Sequence, residues 1–129
     1  MDFLEQMEFT RRENRFMNHC GIRITHLERG LCRVELSVAE YCRNTGDTVH
    51  GGLLYTMADC AVSAYARAVC ESPVTLSGDF HYLGNVSEGV VTAEAVPIRL
   101  GKTVLVFRVT VFSEKKLLAE GTMSCLNRG

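Results

Sequence analysis

One carboxylate, Asp59, stands in a run that is otherwise uncharged from Leu53 to Ala66, and nine residues before it lies His50-Gly51-Gly52. These two features could do chemistry together. If the run is a helix, the glycines open it, and backbone N–H groups at a helix N-terminus lack intrahelical partners and carry its positive dipole end. Glycine also lets another molecule approach the backbone closely. Gly51 N–H is thus a candidate donor to a developing oxyanion, with Gly52 beside the bound group, and Asp59 a candidate base or nucleophile. A carboxylate on an apolar helix costs free energy unless it is partnered or sits in a wetted cleft.

Other polar residues fall where they could serve the same centre. The Asn44 amide can donate to a carbonyl or hold a water. Ser63 lies one turn after Asp59 and could hydrogen-bond it. Thr75 and Ser77 are spaced to share one face of a strand and could do likewise from a sheet. Each has a plainer reading. Asn44 is a common turn residue, and His50 serves equally well to hold the loop by hydrogen bonds as to touch a substrate. Gly51-Gly52 could be a close packing point. Asp59 could cap a second helix if the chain broke at Met57-Ala58, although neither Gly nor Pro stands there.

The elements that must position these residues can be read from periodicity. Residues 2–17 read as one helix, with Phe3, Leu4 and Met7 at helical spacing. From Gly21 the period becomes two: Ile22 and Ile24, then Cys32, Val34, Leu36 and Val38, flank a turn at Gly30 and predict a hairpin. A polar loop, Ala39 to Thr48, leads into the long helix, which runs to about Cys70 and stops at Glu71-Ser72-Pro73. Four strands are predicted next, near 74–82, 90–100, 103–113 and 117–126, with Pro97 marking an edge or a bulge. The long helix has no polar face, so it must be surrounded by protein. Strands that meander around it predict an α+β fold, a curled antiparallel sheet of about six strands wrapped round the helix, with residues 1–129 as one domain.

Composition narrows the function. The 14 basic and 15 acidic residues nearly balance, which leaves no cationic surface excess for nucleic acid. No uncharged run is long enough to span a bilayer, and the N-terminus lacks the order of a signal peptide. The six cysteines form no C-x-x-C pair, and several occupy strand or helix interiors; a reducing, cytoplasmic setting without a zinc site is expected.

The segment from Asn44-Thr45-Gly46 through Val49-His50-Gly51-Gly52 to Asp59, with the opening hairpin and the late turn Arg99-Leu100-Gly101-Lys102-Thr103, resembles the hot-dog-fold acyl-CoA thioesterases. The similarity is to the phenylacetic-acid-degradation (PaaI-like) branch and covers roughly Gly21 to Ser124. It implies the hot-dog fold. It also implies that Asn44 and Gly51 bind and polarise a thioester carbonyl, that Asp59 activates water or attacks directly, and that Thr75 or Ser77 completes the site. Coenzyme A would enter as part of the substrate, with no metal or other cofactor. The Asn44–His50 loop carries an additional acid, Asp47, and Tyr55 could narrow the site.

Geometry adds a condition. Gly51 and Asp59 are eight residues apart, about 12 Å along one helix. Both must come within about 3–3.5 Å of one carbonyl group. One copy cannot do this, and a two-fold partner can, so an enzyme built this way is expected to be a homodimer with shared sites. The resemblance implies the same, often as a tetramer of two dimers. Two other functions stay open: a non-catalytic acyl-CoA binder, and a hot-dog enoyl-CoA hydratase or dehydratase.

Overall fold

The computed structural model describes residues 2–129. Helix α1, Phe3–Glu13, starts at a capping box: the Asp2 side chain accepts from Glu5 N–H, and the Glu5 carboxylate accepts from Asp2 N–H. The single helix expected over 2–17 is broken. Asn14 ends α1 and caps a second helix, α2, Arg15–His19, by accepting from Met17 N–H at 3.1 Å. Asparagine's short amide competes with the helical backbone for such donors, a choice that apolar spacing does not show.

The hairpin comes next as β1 (Ile22–Glu28) and β2 (Leu31–Ser37), turning at Gly30 with φ +89°, a conformation that glycine adopts without a steric penalty. A short 3₁₀ turn, Glu40–Cys42, precedes α3, Gly51–Val69. Strands β3 (Pro73–Tyr82), β4 (Val90–Leu100), β5 (Val104–Ser113) and β6 (Lys116–Asn127) complete the chain. All six strands form one antiparallel sheet in the order β1-β2-β4-β5-β6-β3.

The order departs from a plain meander at one strand. The helix α3 carries the chain across the sheet, so β3 emerges at the far edge beside β6, and β4 returns to pair with β2. Both sheet edges, β1 and β3, therefore come from the first two-thirds of the chain. Pro97 sits at a register shift between β4 and β5, in a central strand, so of the two predicted roles it takes the bulge.

The helix is the core, as its composition demanded. Leu54, Met57, Ala58, Ala61, Val62, Tyr65 and Ala66 are buried against the inward residues of the sheet, among them Val34, Ala93, Phe107, Val109 and Met123. Alanines on both sides (Ala58, Ala61, Ala93, Ala95) keep the helix close to the strands. The Tyr65 hydroxyl accepts from Gly30 N–H at 3.0 Å, which satisfies a polar atom at the core's rim. Truncating Leu54, which is 1% exposed, to alanine would cost about 2–5 kcal/mol. That rigidity fixes where Asp59 and the first turn of α3 stand.

Candidate active site

The first turn of α3 is built by the loop before it. Asn44 organises that loop: its Oδ1 accepts from Gly46 N–H at 2.9 Å and Thr48 N–H at 3.2 Å. Asp47 takes the left-handed conformation, φ +64°, that short polar residues tolerate in turns. The side-chain amide nitrogen of Asn44 has no partner among the described residues and stays available as a donor. His50 is the N-cap of α3, with its Nδ1 accepting from Gly52 N–H at 2.8 Å. This fixes the neutral ring with its proton on Nε2. The structure thus gives His50 a loop-holding role.

Of the donors at this helix end, all but one are engaged. His50 N–H donates to the Cys42 carbonyl at 2.8 Å, and Gly52 N–H to the His50 ring. Leu53 and Leu54 N–H both donate to the His50 carbonyl, at 2.9 and 3.3 Å. Gly51 N–H is left without a partner among the described residues. It is an unspent donor at the positive end of a nineteen-residue helix. A Cβ at position 51 would lie 3.5 Å from the Tyr82 ring, so that ring forms one wall of the space. Gly52 is exposed, and any Cβ there would press on the His50 ring at 3.0 Å. Next to it, a cleft of about 360 Å³ opens between α2, the 3₁₀ turn and α3, lined by Phe16, Tyr41, His50, Gly52, Leu53 and Thr56.

Asp59 lies two turns further on. The helix is unbroken through Met57-Ala58, so Asp59 is mid-helix and not a cap. Its carboxylate is half-buried and accepts a 2.6 Å hydrogen bond from Thr75 Oγ1 on β3. Two buried thiols register its charge. Burial first, and then Asp59, push the Cys60 thiol up to about 12. The same two causes, in the same order, push Cys125 up to about 11.

The structure separates the other candidates. Thr75 and Ser77 do not share a face. The register with β6 shifts between them, with Leu76 as the additional residue, and this bulge turns Thr75 toward Asp59 and Ser77 outward. Ser77 Oγ shares a 2.8 Å hydrogen bond with Ser124 Oγ on the exposed side. Ser63 makes no hydrogen bond to Asp59 and lines a groove against α1 with Phe9, Thr10 and Arg67. Tyr55 stacks edge-on against Phe80, ring centres 5.3 Å apart, and passes over Gly78, where a Cβ would collide with its hydroxyl. Tyr82 at the Gly51 wall was not singled out by sequence, where it is simply one more alternating position on a strand.

Within one copy, then, Asp59 and Thr75 form one cluster, and Asn44, His50, Gly51 and Gly52 another, about 12 Å apart along the helix axis. A free donor at a helix N-terminus thus shares one buried helix with a held carboxylate, against a curled six-stranded sheet. Residues 46–120 match the profile described as Thioesterase superfamily. This chain belongs to that superfamily. It is a thioester hydrolase with the hot-dog fold. The 1,4-dihydroxy-2-naphthoyl-CoA hydrolase of Listeria monocytogenes is 30% identical over 101 residues, 76% of this chain and 82% of that protein. A variant of the phenylacetic acid degradation protein PaaI from Thermus thermophilus is 32% identical, with TM-score 0.83 over 88% of this chain and 98% of that one. The PaaI protein of Escherichia coli superposes with TM-score 0.92 over 98% of this thioesterase and 93% of its own chain, at 20% identity, and shows the shared fold. No helix among the described residues is long and apolar enough to cross a membrane.

Proposed function

We propose that this thioesterase hydrolyses acyl-CoA substrates at sites formed between two copies of the chain. The observation that carries the reading is the free Gly51 N–H. Every neighbouring backbone donor of the first turn is engaged, and this one has no partner among the described residues. A thioester carbonyl oxygen accepting from Gly51, with the spare Asn44 amide as a second donor, gains stabilisation as it becomes an oxyanion. Asp59 of the other copy faces the carbonyl carbon and takes a proton from the attacking water. Thr75 holds one carboxylate oxygen and leaves the other for that proton. The tetrahedral intermediate then collapses, the carbon–sulfur bond breaks, and the leaving thiolate of CoA takes up the proton that Asp59 holds, which restores the carboxylate.

Pairing of copies is supported by the β3 edge. Its outer backbone is open to a further strand, and Val74 and Leu76 stand 42% and 55% exposed along it. Two such edges related by a two-fold axis would extend one sheet into the next and bring the two α3 helices side by side. The activity for which the Listeria relative is named, naphthoyl-CoA hydrolysis, supports CoA as the leaving group and an aromatic acyl group as the first class to try.

The test is release of free thiol from a panel of aromatic and straight-chain acyl-CoAs by wild type and Asp59→Asn. Turnover that is lost in the variant supports the reading. Equal rates in both proteins would remove Asp59 from the chemistry.

A further inference from the structure

The loop after β3 touches the candidate site without entering it. Asn85 Nδ2 donates to the Val49 carbonyl at 2.8 Å, and Val49 N–H donates back to the Val86 carbonyl at 3.1 Å. The Asn85 side chain is itself held, because its Oδ1 accepts from Val86 N–H at 2.8 Å. Its backbone carbonyl is held as well, by Lys116 Nζ at 2.6 Å from the start of β6. Two residues on, the Ser87 carbonyl accepts from Arg43 Nε at 2.8 Å. The 85–87 loop thus grips the segment leading into α3 from outside.

That grip reaches the first turn of α3 through two successive peptides. The peptide between Val49 and His50 is pinned at both ends, its oxygen by Asn85 and its N–H by the Cys42 carbonyl. The next peptide carries the Gly51 N–H. Its direction is set by its own oxygen, the His50 carbonyl that accepts from Leu53 and Leu54 N–H, and by the pinned peptide before it. We infer that Asn85 is a positioning residue for catalysis: it acts through Val49 and His50 to aim the Gly51 N–H at the substrate carbonyl. The inference rests on the acyl-CoA reading above for its kinetic consequence and on the hydrogen bonds alone for its structural one.

Asn85→Asp is close to isosteric. It keeps an oxygen for Val86 N–H and replaces the donor facing Val49 with a second acceptor, so the Val49 carbonyl is pushed away. Misplacing a catalytic donor by about 1 Å costs about 10²-fold in rate, and the fall is expected in kcat with KM held within about twofold. The direction of the N–H is read independently of turnover from the residual dipolar coupling of the Gly51 amide in weakly aligned, nitrogen-labelled protein. The coupling is expected to shift at Gly51 and His50 while Ala58 to Ala66 keep theirs. Lys116→Met, a change at the exposed start of β6, serves if Asn85→Asp does not fold, and should shift the same couplings less. An unchanged Gly51 coupling, or a raised KM with unchanged kcat, would overturn the assignment. Wild type that turns over no acyl-CoA but shows the coupling shift in Asn85→Asp would overturn the acyl-CoA reading and support the positioning role.

Discussion

Thr75 and Asp59 meet across the helix–sheet boundary at 2.6 Å, the hydroxyl donating to one carboxylate oxygen. The contact exists because a bulge after Thr75 ends the strict alternation of β3 and lets the strand present this residue inward. A hydroxyl that fixes one oxygen of the proposed base leaves the other with a defined direction. Thr75→Val removes the donor and nearly keeps the shape. The variant is expected to lose about 0.5–1.5 kcal/mol of stability, or more if Oδ1 stays dry, and to lower kcat by about tenfold. Denaturant titration and steady-state kinetics measure the two effects separately. A full kcat in a folded variant would leave Thr75 with a packing role.

The free donor can be removed without harming its helix. Gly51 is the first residue of α3, where proline is well accepted because its missing N–H has no intrahelical partner. His50, at φ −60° and ψ 130°, already has the extended backbone that a succeeding proline requires. Gly51→Pro is therefore expected to keep its melting temperature and lose about 10²–10³-fold in kcat, the usual cost of an oxyanion donor. Retained activity would place the oxyanion elsewhere.

The buried thiols make stability fall in alkali. Cys32 and Cys60 are pushed up to about 12, first by burial in both cases, and Cys125 to about 11, against 9.0 for a free thiol. A group whose pKa is raised by folding binds more protons in the native state, so its contribution is complete below about pH 9 and is lost as the pH rises toward the folded values. The unfolding free energy is expected to drop between about pH 9 and 12. Replacing Cys32 with alanine should flatten that drop while lowering stability at neutral pH. A flat profile in wild type would mean that these thiols titrate alike in both states.

Features that burial imposes locally show in the sequence, and features set by long-range pairing do not. The helix 51–69 announced itself by its lack of a polar face, and the strands by alternation, because burial imposes those periods directly. Asp59 was legible for the same reason, as a charge the pattern did not permit. Thr75 and Ser77 looked equivalent, since both obey the period of two; the bulge at Leu76 depends on pairing with β6, some fifty residues away, and no local signal marks it. The Asn14 break was written in one side chain's choice between helix and cap. The place of β3 at the far edge came from the helix crossing the sheet, a long-range outcome. Tyr82 and Asn85 were hidden because their roles lie in what they touch across the fold.

If Gly51 of one copy works with Asp59 of another, as proposed, two crippled proteins should rescue each other when mixed. Asp59→Asn and Gly51→Pro are co-expressed with different tags, and the mixed dimer is isolated by tandem affinity. Each such dimer carries both lesions in one site and neither in the other. Restoration to about half of the wild-type rate per mixed dimer is the expected result, since one of two equivalent sites is intact. A mixed dimer as inactive as its parents would contradict a shared site and confine the chemistry to a single chain.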